Sequence, residues 1–126
     1  MEAFGRHLIL EMWDCDRSIV NDTGKVEEIV RKAATEAKAT VMGIVSHKFD
    51  PSGVTCLAIL AESHLSVHTW PKEGYVAADI FTCGRTAVPE PAAEYLIGAF
   101  KPKDSKTLVL TRGDSSVSEL AQHQIV

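Results

Sequence analysis

The feature that most constrains the fold of this chain is a series of closely spaced strand patterns. Residues 40–83 contain four strand-like segments separated only by turns. The segments at 40–49 and 54–61 are joined by DPSG, and those at 65–70 and 75–83 are joined by PKEG. Pro, Gly, Asp and Ser are typical turn residues, and strands joined by short turns run antiparallel. The pattern predicts an antiparallel meander.

Helical and further strand patterns flank this meander. An apolar repeat of helical period extends from residue 26 to 37, with Asp22 or Thr23 as its cap. The other predicted elements are a strand at 6–13, a helix that starts near Pro89 or Pro91, and a strand at 106–112. Helices on one face of a mostly antiparallel sheet make an α+β two-layer sandwich. Its second face is left uncovered, which predicts a partner.

The composition sets outer limits on function. The chain has 126 residues and a net charge of −4, with scattered basic residues rather than the basic stripe of a nucleic-acid binder. Neither an apolar run of about 18 residues nor a signal sequence is present, so no membrane association is expected. Three cysteines without a CxxC pair suit free thiols in the cytoplasm. We expect one domain at 1–113 and a polar tail at 114–126.

The most informative stretch is LAESHLSVHTWPKEGYVAADIFTCG, residues 60–84. A four-residue PKEG loop sets a hairpin register that places Cys83 opposite Glu62. Serine, histidine and cysteine on strands are more often structural than catalytic, so register alone assigns no role. Strand parity also places one set of side chains on a common face: His64, Ser66, His68, Trp70, Ala77, Asp79, Phe81 and Cys83.

The same register separates two candidate groups. His68 lies five residues from Ser63, which is roughly 17 Å along a strand and too far for a hydrogen bond. If Ser63, Cys83 and a histidine serve one centre, that histidine is expected to come from a second copy of the chain. A two-fold homodimer would supply it.

Several blocks together resemble one family. The blocks are AESHLSVHTWP, the following GY, DIFTCG, the N-terminal GRHLILEMWDCD, the turn HKFDPSGVT and a late RG. They occur at the spacings of the short prokaryotic S-adenosylmethionine decarboxylase proenzymes, and the resemblance covers about residues 4–113. It implies a pyruvoyl-dependent carboxy-lyase that processes itself and feeds spermidine and polyamine synthesis.

The resemblance implies a role for each processing residue. Ser63 would attack the carbonyl of Glu62, and the amide would become an ester. His68 would then remove the α-proton of Ser63, with help from Thr55 where the family commonly has serine. Elimination and loss of ammonia would leave a covalent pyruvoyl group derived from Ser63. The chain would split between Glu62 and Ser63 into 1–62 and 63–126.

The family pattern also implies how the mature site is assembled. The pyruvoyl carbonyl would accept the electrons released with CO₂, and Cys83 would return a proton to the substrate. Ser63 and Cys83 would act within one subunit, whereas Thr55 and His68 would come from the other subunit of a homodimer. No metal site is expected, because the histidines lack ligand spacing.

Substrate binding is where the sequence departs from the family. Phe49 matches the aromatic that stacks on adenine, but Lys72 stands where a glutamate usually binds the ribose hydroxyls, and lysine accepts no hydrogen bond. Glu73 could substitute, although strand parity points it the other way unless the turn is irregular. A basic amino acid, arginine or ornithine, is therefore an alternative substrate to S-adenosylmethionine. A non-processing binding module of the same fold is a second alternative.

Overall fold

A computed structural model describes residues 5–84 and 86–113. The strands are β1 (Gly5–Trp13), β2 (Val41–Lys48), β3 (Val54–Leu60), β4 (Ser63–Trp70), β5 (Tyr75–Cys83) and β6 (Asp104–Arg112). The helices are α1 (Arg17–Val20), α2 (Thr23–Glu36) and α3 (Pro89–Phe100). The predicted tail at 114–126 lies outside the described residues.

The strands form one six-stranded sheet in the order β2-β3-β4-β5-β1-β6. All neighbouring pairs are antiparallel, so the predicted meander of β2 to β5 is confirmed. Strand β1 lies between β5 and β6. The predicted register of β4 and β5 is also confirmed, because Trp70 pairs with Tyr75 and His68 pairs with Ala77.

Helices α2 and α3 cover one face of the sheet. α2 contacts β2, β3 and β4, α3 contacts β1 and β5, and the two helices contact each other. Val26 and Val30 of α2 and Leu96 and Phe100 of α3 are fully buried, and alternate residues of the central strands are buried on the same side of the sheet. The core therefore lies in one layer between helices and sheet, which confirms the α+β two-layer prediction.

The helix starts follow local hydrogen bonding. The carboxylate of Asp22 accepts a hydrogen bond of 3.0 Å from the backbone N–H of Lys25, so Asp22 rather than Thr23 caps α2. The sequence did not predict α1, because its four residues are too few to show a helical period. Asp16 caps α1 by accepting a 2.9 Å hydrogen bond from the backbone N–H of Ser18.

The second sheet face, which we call the open face, has no helix over it among the described residues. Over β1, β4 and β5 it carries polar side chains such as His7, His64 and Asp79 together with apolar ones such as Ile9 and Ala77. Towards β2 and β3 it carries Val45, Leu57 and Ile59, which are 61%, 37% and 48% exposed. We call these three residues the apolar edge patch. None of the helices within 5–84 and 86–113 is long and apolar enough to cross a bilayer.

Candidate active site

The junction between Glu62 and Ser63 lies where the turn after β3 enters β4. The carbonyl oxygen of Glu62 accepts a 2.8 Å hydrogen bond from the backbone N–H of Cys83. The Glu62 carboxylate accepts another, of 2.9 Å, from the backbone N–H of Thr40. Ser63 has a φ of 139°, a conformation that costs a residue other than glycine about 1–3 kcal/mol. The peptide predicted to break is held firmly on its Glu62 side and strained at Ser63.

Cys83 stands opposite Glu62, as the hairpin register predicted. Its residue is exposed, whereas Cys15 and Cys56 are buried, and no two of these three cysteines form a disulfide. Burial raises the pKa of Cys15 and of Cys56 to about 11. The one accessible thiol of the three is therefore the one beside the Glu62–Ser63 junction.

Three side chains from different strands meet on the open face beside Ser63. The Nδ1 atom of His64 lies 3.2 Å from Ser63 Oγ, and its Nε2 atom lies 2.8 Å from Asp79 Oδ2. The same oxygen lies 2.6 Å from His7 Nε2, and the other Asp79 oxygen accepts a hydrogen bond from the Ser66 hydroxyl. We call His7, His64 and Asp79 the histidine–aspartate cluster.

Hydrogen bonding fixes the protonation of this cluster. Arg112 only donates, and its guanidinium lies 3.3 Å from Nδ1 of His7, so the Nε2 of His7 donates to Asp79. Burial disfavours ionisation of Asp79, but hydrogen bonds from Ser66, His7 and His64 outweigh burial and lower the pKa of Asp79. The carboxylate is therefore ionised at neutral pH and orients both imidazole rings.

The cluster has the residue types of a metal site, which the sequence did not predict. The ligand atoms of His7, His64 and Asp79 all lie within 4.8 Å of one another. Ligands at the usual bond lengths of one zinc ion stand about 3 Å or more apart. The two nitrogen-to-oxygen distances here are 2.6 and 2.8 Å, which are hydrogen-bond lengths. In this arrangement the three groups bind one another.

Thr55 and His68 form a second, separate pair on the open face. They pair across β3 and β4, and Thr55 Oγ1 lies 3.1 Å from His68 Nδ1. Phe49, with 47% of its surface exposed, lines the same groove of about 320 Å³. Ser63 lies five positions from His68 along β4, roughly 17 Å away. One copy of the chain therefore brings Phe49, Thr55 and His68 together but keeps them away from Ser63.

A further groove of about 320 Å³ connects these two groups across the open face. His7 and Asp79 line the groove on one side, and His68 lines it on the other. Glu11 and Tyr75 also belong to its lining. The hydroxyl of Tyr75 donates a hydrogen bond to Glu11. Burial, together with the neighbouring Glu11 carboxylate, raises the pKa of Tyr75 to about 12. The groove, whose lining also includes Ile9, Ala77 and Ala78, thus reaches from the cluster to His68.

The hairpin turn separates Lys72 from Glu73. Lys72 is exposed and does not line the grooves described above, all of which lie within the described residues. Glu73 lines a groove of about 530 Å³ with Trp13, Trp70 and Tyr75, which belong to the open face. The exception allowed in the sequence analysis applies, because the turn departs from strand geometry with hydrogen bonds from the N–H of Glu73 to the carbonyl of Trp70 and from the N–H of Gly74 to the carbonyl of Pro71. Of the two turn residues, Glu73 is the one that lines this groove.

Comparison with known proteins identifies the family. A family model described as S-adenosylmethionine decarboxylase matches residues 6–113. The chain belongs to that family. The S-adenosylmethionine decarboxylase proenzyme of Moorella thermoacetica is 46% identical over 113 residues, covering 90% of each chain. The proenzyme of Carboxydothermus hydrogenoformans is 43% identical over 126 residues, covering 100% of this chain and 98% of the relative. The resemblance seen in the sequence is confirmed.

Solved structures agree with this family assignment. The adenosylmethionine decarboxylase of Aquifex aeolicus superposes with a TM-score of 0.85 at 29% identity, over 90% of this chain and 94% of that one. The Trypanosoma brucei AdoMetDC-delta26 monomer superposes with a TM-score of 0.59 at 14% identity. That match covers 94% of this chain and 50% of the other, and it shows the fold alone.

The structure adds three residues that sequence reasoning left without a role. The argument from distance considered His68 as the histidine for Ser63, but His64 of the same chain is already hydrogen-bonded to Ser63. Parity placed His64 and Asp79 on one face, which was an available signal. The third member, His7, needed the pairing of β1 with β5, which no short turn specifies.

Proposed function

We propose that this chain cuts itself at Ser63 and then decarboxylates S-adenosylmethionine to the aminopropyl donor for polyamine synthesis. One observation carries the proposal. In a chain of the S-adenosylmethionine decarboxylase family, the strained Ser63 follows a Glu62 carbonyl that is held by the N–H of Cys83 at 2.8 Å. These are the parts that a serine needs to attack the preceding peptide.

The first step converts the Glu62–Ser63 amide into an ester. Ser63 Oγ forms a bond to the carbonyl carbon of Glu62 as the bond from that carbon to the Ser63 nitrogen breaks. Negative charge develops on the Glu62 oxygen, where the backbone N–H of Cys83 already donates. This hydrogen bond lowers the barrier to the extent that it strengthens as the charge develops, and removing one oxyanion donor typically costs acyl transfer about 10²–10³-fold.

The second step breaks the chain. His68, hydrogen-bonded to Thr55, takes the α-proton of Ser63, and the electron pair forms a double bond between Cα and Cβ. Glu62 leaves as a carboxylate that retains the former Oγ. Water then replaces the nitrogen and ammonia departs, which leaves the pyruvoyl group at residue 63. The products are the fragments 1–62 and 63–126.

The mature site combines this group with Cys83. A pyruvoyl group supplies an electron-withdrawing carbonyl that takes up the electrons CO₂ leaves behind. The exposed Cys83, opposite the new chain end, then donates a proton to the substrate carbon. Since Cys83 and residue 63 lie on neighbouring strands of one chain, this step needs no second subunit.

His68 and Thr55 are proposed to act on the Ser63 of a second copy. The separation of roughly 17 Å within one chain supports this arrangement. So does the apolar edge patch, because exposed Val45, Leu57 and Ile59 gain stability when another copy covers them. A two-fold homodimer that joins open faces would bring the Thr55–His68 pair of one subunit to the Ser63 of the other.

Phe49 and Glu73 are proposed to bind the nucleoside part of the substrate. Phe49 offers an exposed ring for stacking beside His68, and Glu73 offers a carboxylate beside Trp70. Glu73 would then replace the carboxylate that is missing at Lys72. The relatives are named for S-adenosylmethionine, and nothing in them favours arginine or ornithine.

Release of CO₂ from three substrates tests this function. We expect turnover of S-adenosylmethionine and none of arginine or ornithine, and we expect borohydride treatment to abolish it by reducing the carbonyl. The Ser63→Ala chain, which cannot form the group, is the matched control. Turnover of a basic amino acid with S-adenosylmethionine inert would overturn the choice of substrate. Turnover unaffected by Ser63→Ala would overturn the mechanism.

A further inference from the structure

The geometry points to His64 as the general base of the first processing step, with Asp79 as the residue that positions it. This inference rests on the proposed function, because it concerns how the amide before Ser63 becomes an ester. It assigns that step to a histidine of the same chain. His68 is left to act in the later elimination.

Three side chains are arranged as nucleophile, base and orienting carboxylate. Ser63 Oγ lies 3.2 Å from His64 Nδ1, which is within the reach of a general base. On the far side of the ring, His64 Nε2 lies 2.8 Å from Asp79 Oδ2. A serine hydroxyl is a weak nucleophile until a base accepts its proton, and a base works best when a third group orients it.

The hydrogen bonds select the tautomer that this role needs. In the neutral ring of His64, the ionised Asp79 accepts from Nε2, so the proton lies on Nε2 and the lone pair of Nδ1 faces Ser63. Asp79 itself cannot turn away, since His7 and Ser66 hold its two oxygens. Behind them, the Phe81 ring lies 5.2 Å from the His7 ring and 6.1 Å from the His64 ring, centroid to centroid.

The backbone of Ser63 brings the hydroxyl to this base. In a regular strand, consecutive side chains point to opposite faces, so Ser63 would face away from His64. The φ of 139° departs from strand geometry, and the hydroxyl of Ser63 lies beside His64 instead. The strained residue is therefore the one whose hydroxyl must meet both the base and the Glu62 carbonyl.

The proton balance closes within the chain. His64 Nδ1 takes the proton of Ser63 Oγ as Oγ bonds to the carbonyl carbon of Glu62. The same Nδ1 then gives that proton to the Ser63 nitrogen as the carbon–nitrogen bond breaks. The product is an ester with a free amine, and no other reactant is consumed.

Hydroxylamine distinguishes the two histidines, because it cleaves an ester but spares an amide under mild conditions. Newly synthesised chains from cell-free translation would be followed by mass spectrometry, with and without hydroxylamine. The His68→Ala chain should stall as an ester and release 63–126 with a free serine amine when hydroxylamine is added. His64→Ala should form no ester, so adding hydroxylamine should release no fragment from it. Its own cleavage should be about 10²-fold or more slower than normal, and added imidazole should partly restore the rate.

Two further variants test positioning and specificity. Asp79→Asn should slow cleavage when His64 is present and add no further slowing to His64→Ala, whereas a purely structural effect would slow both backgrounds. Asp104→Asn, the same change at the exposed start of β6, is the matched control and should cleave at the normal rate. The uncleaved Ser63→Ala chain provides the reference unfolding transition for a folded protein. If His64→Ala does not show that transition, it has not folded and His64→Gln is used in its place, because glutamine can hydrogen-bond Asp79 but cannot act as a base.

Two results would overturn the role of His64. One is cleavage of His64→Ala or His64→Gln at the normal rate, and the other is release of their 63–126 fragment by hydroxylamine as readily as from His68→Ala. Either result would leave the proposed function intact as long as the unmodified chain still cleaves. Failure of the unmodified chain to cleave would count against the proposed function itself.

Discussion

The backbone N–H of Cys83 donates a 2.8 Å hydrogen bond to the carbonyl oxygen of Glu62. This bond extends the pairing of β4 with β5 one position past Ser63, which pairs with Thr82. Under the proposed function, Cys83 would therefore have two separate roles, one for its backbone N–H in processing and one for its exposed thiol in decarboxylation. These roles can be separated by mutation because a side-chain substitution leaves the N–H in place.

Cys83→Ala is predicted to process normally and to decarboxylate poorly. The Glu62 carbonyl keeps its donor, so the fragments should form, but CO₂ release should fall about 10²–10⁴-fold without the proton donor. Mass spectrometry and CO₂ release measure the two effects on one sample. Cys56→Ala, which removes a thiol buried on the helix side, should change neither. Failure of Cys83→Ala to process would show that the thiol is needed before cleavage.

Co-expression of Ser63→Ala with His68→Ala is predicted to restore activity that neither chain has alone. A mixed dimer contains one site with an intact Ser63 from one chain and an intact His68 from the other. Ser63→Ala with Cys83→Ala is the matched control and should restore no CO₂ release, because Ser63 and Cys83 are proposed to act within one chain. Mixed dimers without cleavage would contradict the shared site.

Ile59→Lys is predicted to convert dimers into monomers. It places a charge in the apolar edge patch, where the side chain is 48% exposed in a single copy. Cleavage should be lost with the dimer, since His68 no longer reaches another Ser63. Light scattering after size exclusion measures the mass. Val109→Lys, which places the same charge on the helix side of β6, is the control and should remain dimeric. If Ile59→Lys also stays dimeric and still cleaves, the open face is not the dimer interface.

Asp79→Asn is predicted to destabilise the chain at neutral pH and to lose that effect in acid. The pKa of Asp79 is lowered on folding, so its stabilisation is complete above the unfolded value near 3.9 and fades as the pH falls through the folded value. At pH 7 we expect a loss of about 1–3 kcal/mol in the free energy of unfolding.

Urea unfolding of Ser63→Ala chains with and without Asp79→Asn measures this difference, free of cleavage. The difference should be present at neutral pH and shrink as the pH falls below about 4. Asp104→Asn, at the exposed start of β6, serves as the comparison. A difference that persists undiminished well below pH 4 would mean that Asp79 is not held as a carboxylate.

Glu73→Gln is predicted to raise the KM for S-adenosylmethionine about tenfold or more while cleavage stays normal. The amide is a weaker acceptor for hydroxyl groups than the carboxylate. Lys72→Gln, the neighbouring change with the same product residue, should leave KM within about twofold, because Lys72 lies outside the groove beside Trp70. The reverse pattern would assign substrate binding to Lys72.

Local rules predicted much of this fold from the sequence. Turn residues and strand alternation predicted the meander, and the PKEG loop predicted the register that sets Cys83 against Glu62. These features depend on residues close in sequence. The position of β1 between β5 and β6 depends on long-range packing, and no local pattern encodes it.

The candidate site likewise has some contacts that the sequence predicted and others that depend on long-range packing. Ser63 and Cys83 were paired by register, and Thr55 with His68 followed from the resemblance. The histidine–aspartate cluster was missed because His7 reaches Asp79 only through the pairing of β1 with β5. The Ser63–His64 contact was missed because parity assumes a regular strand, whereas Ser63 has a positive φ.

The intact mass of freshly purified protein tests the central claim most directly. We predict two fragments that meet between Glu62 and Ser63, with the second fragment lacking an N-terminal amine and carrying a carbonyl that hydrazine derivatises. Active protein whose peptide is continuous across this junction, with no such carbonyl, would contradict the account.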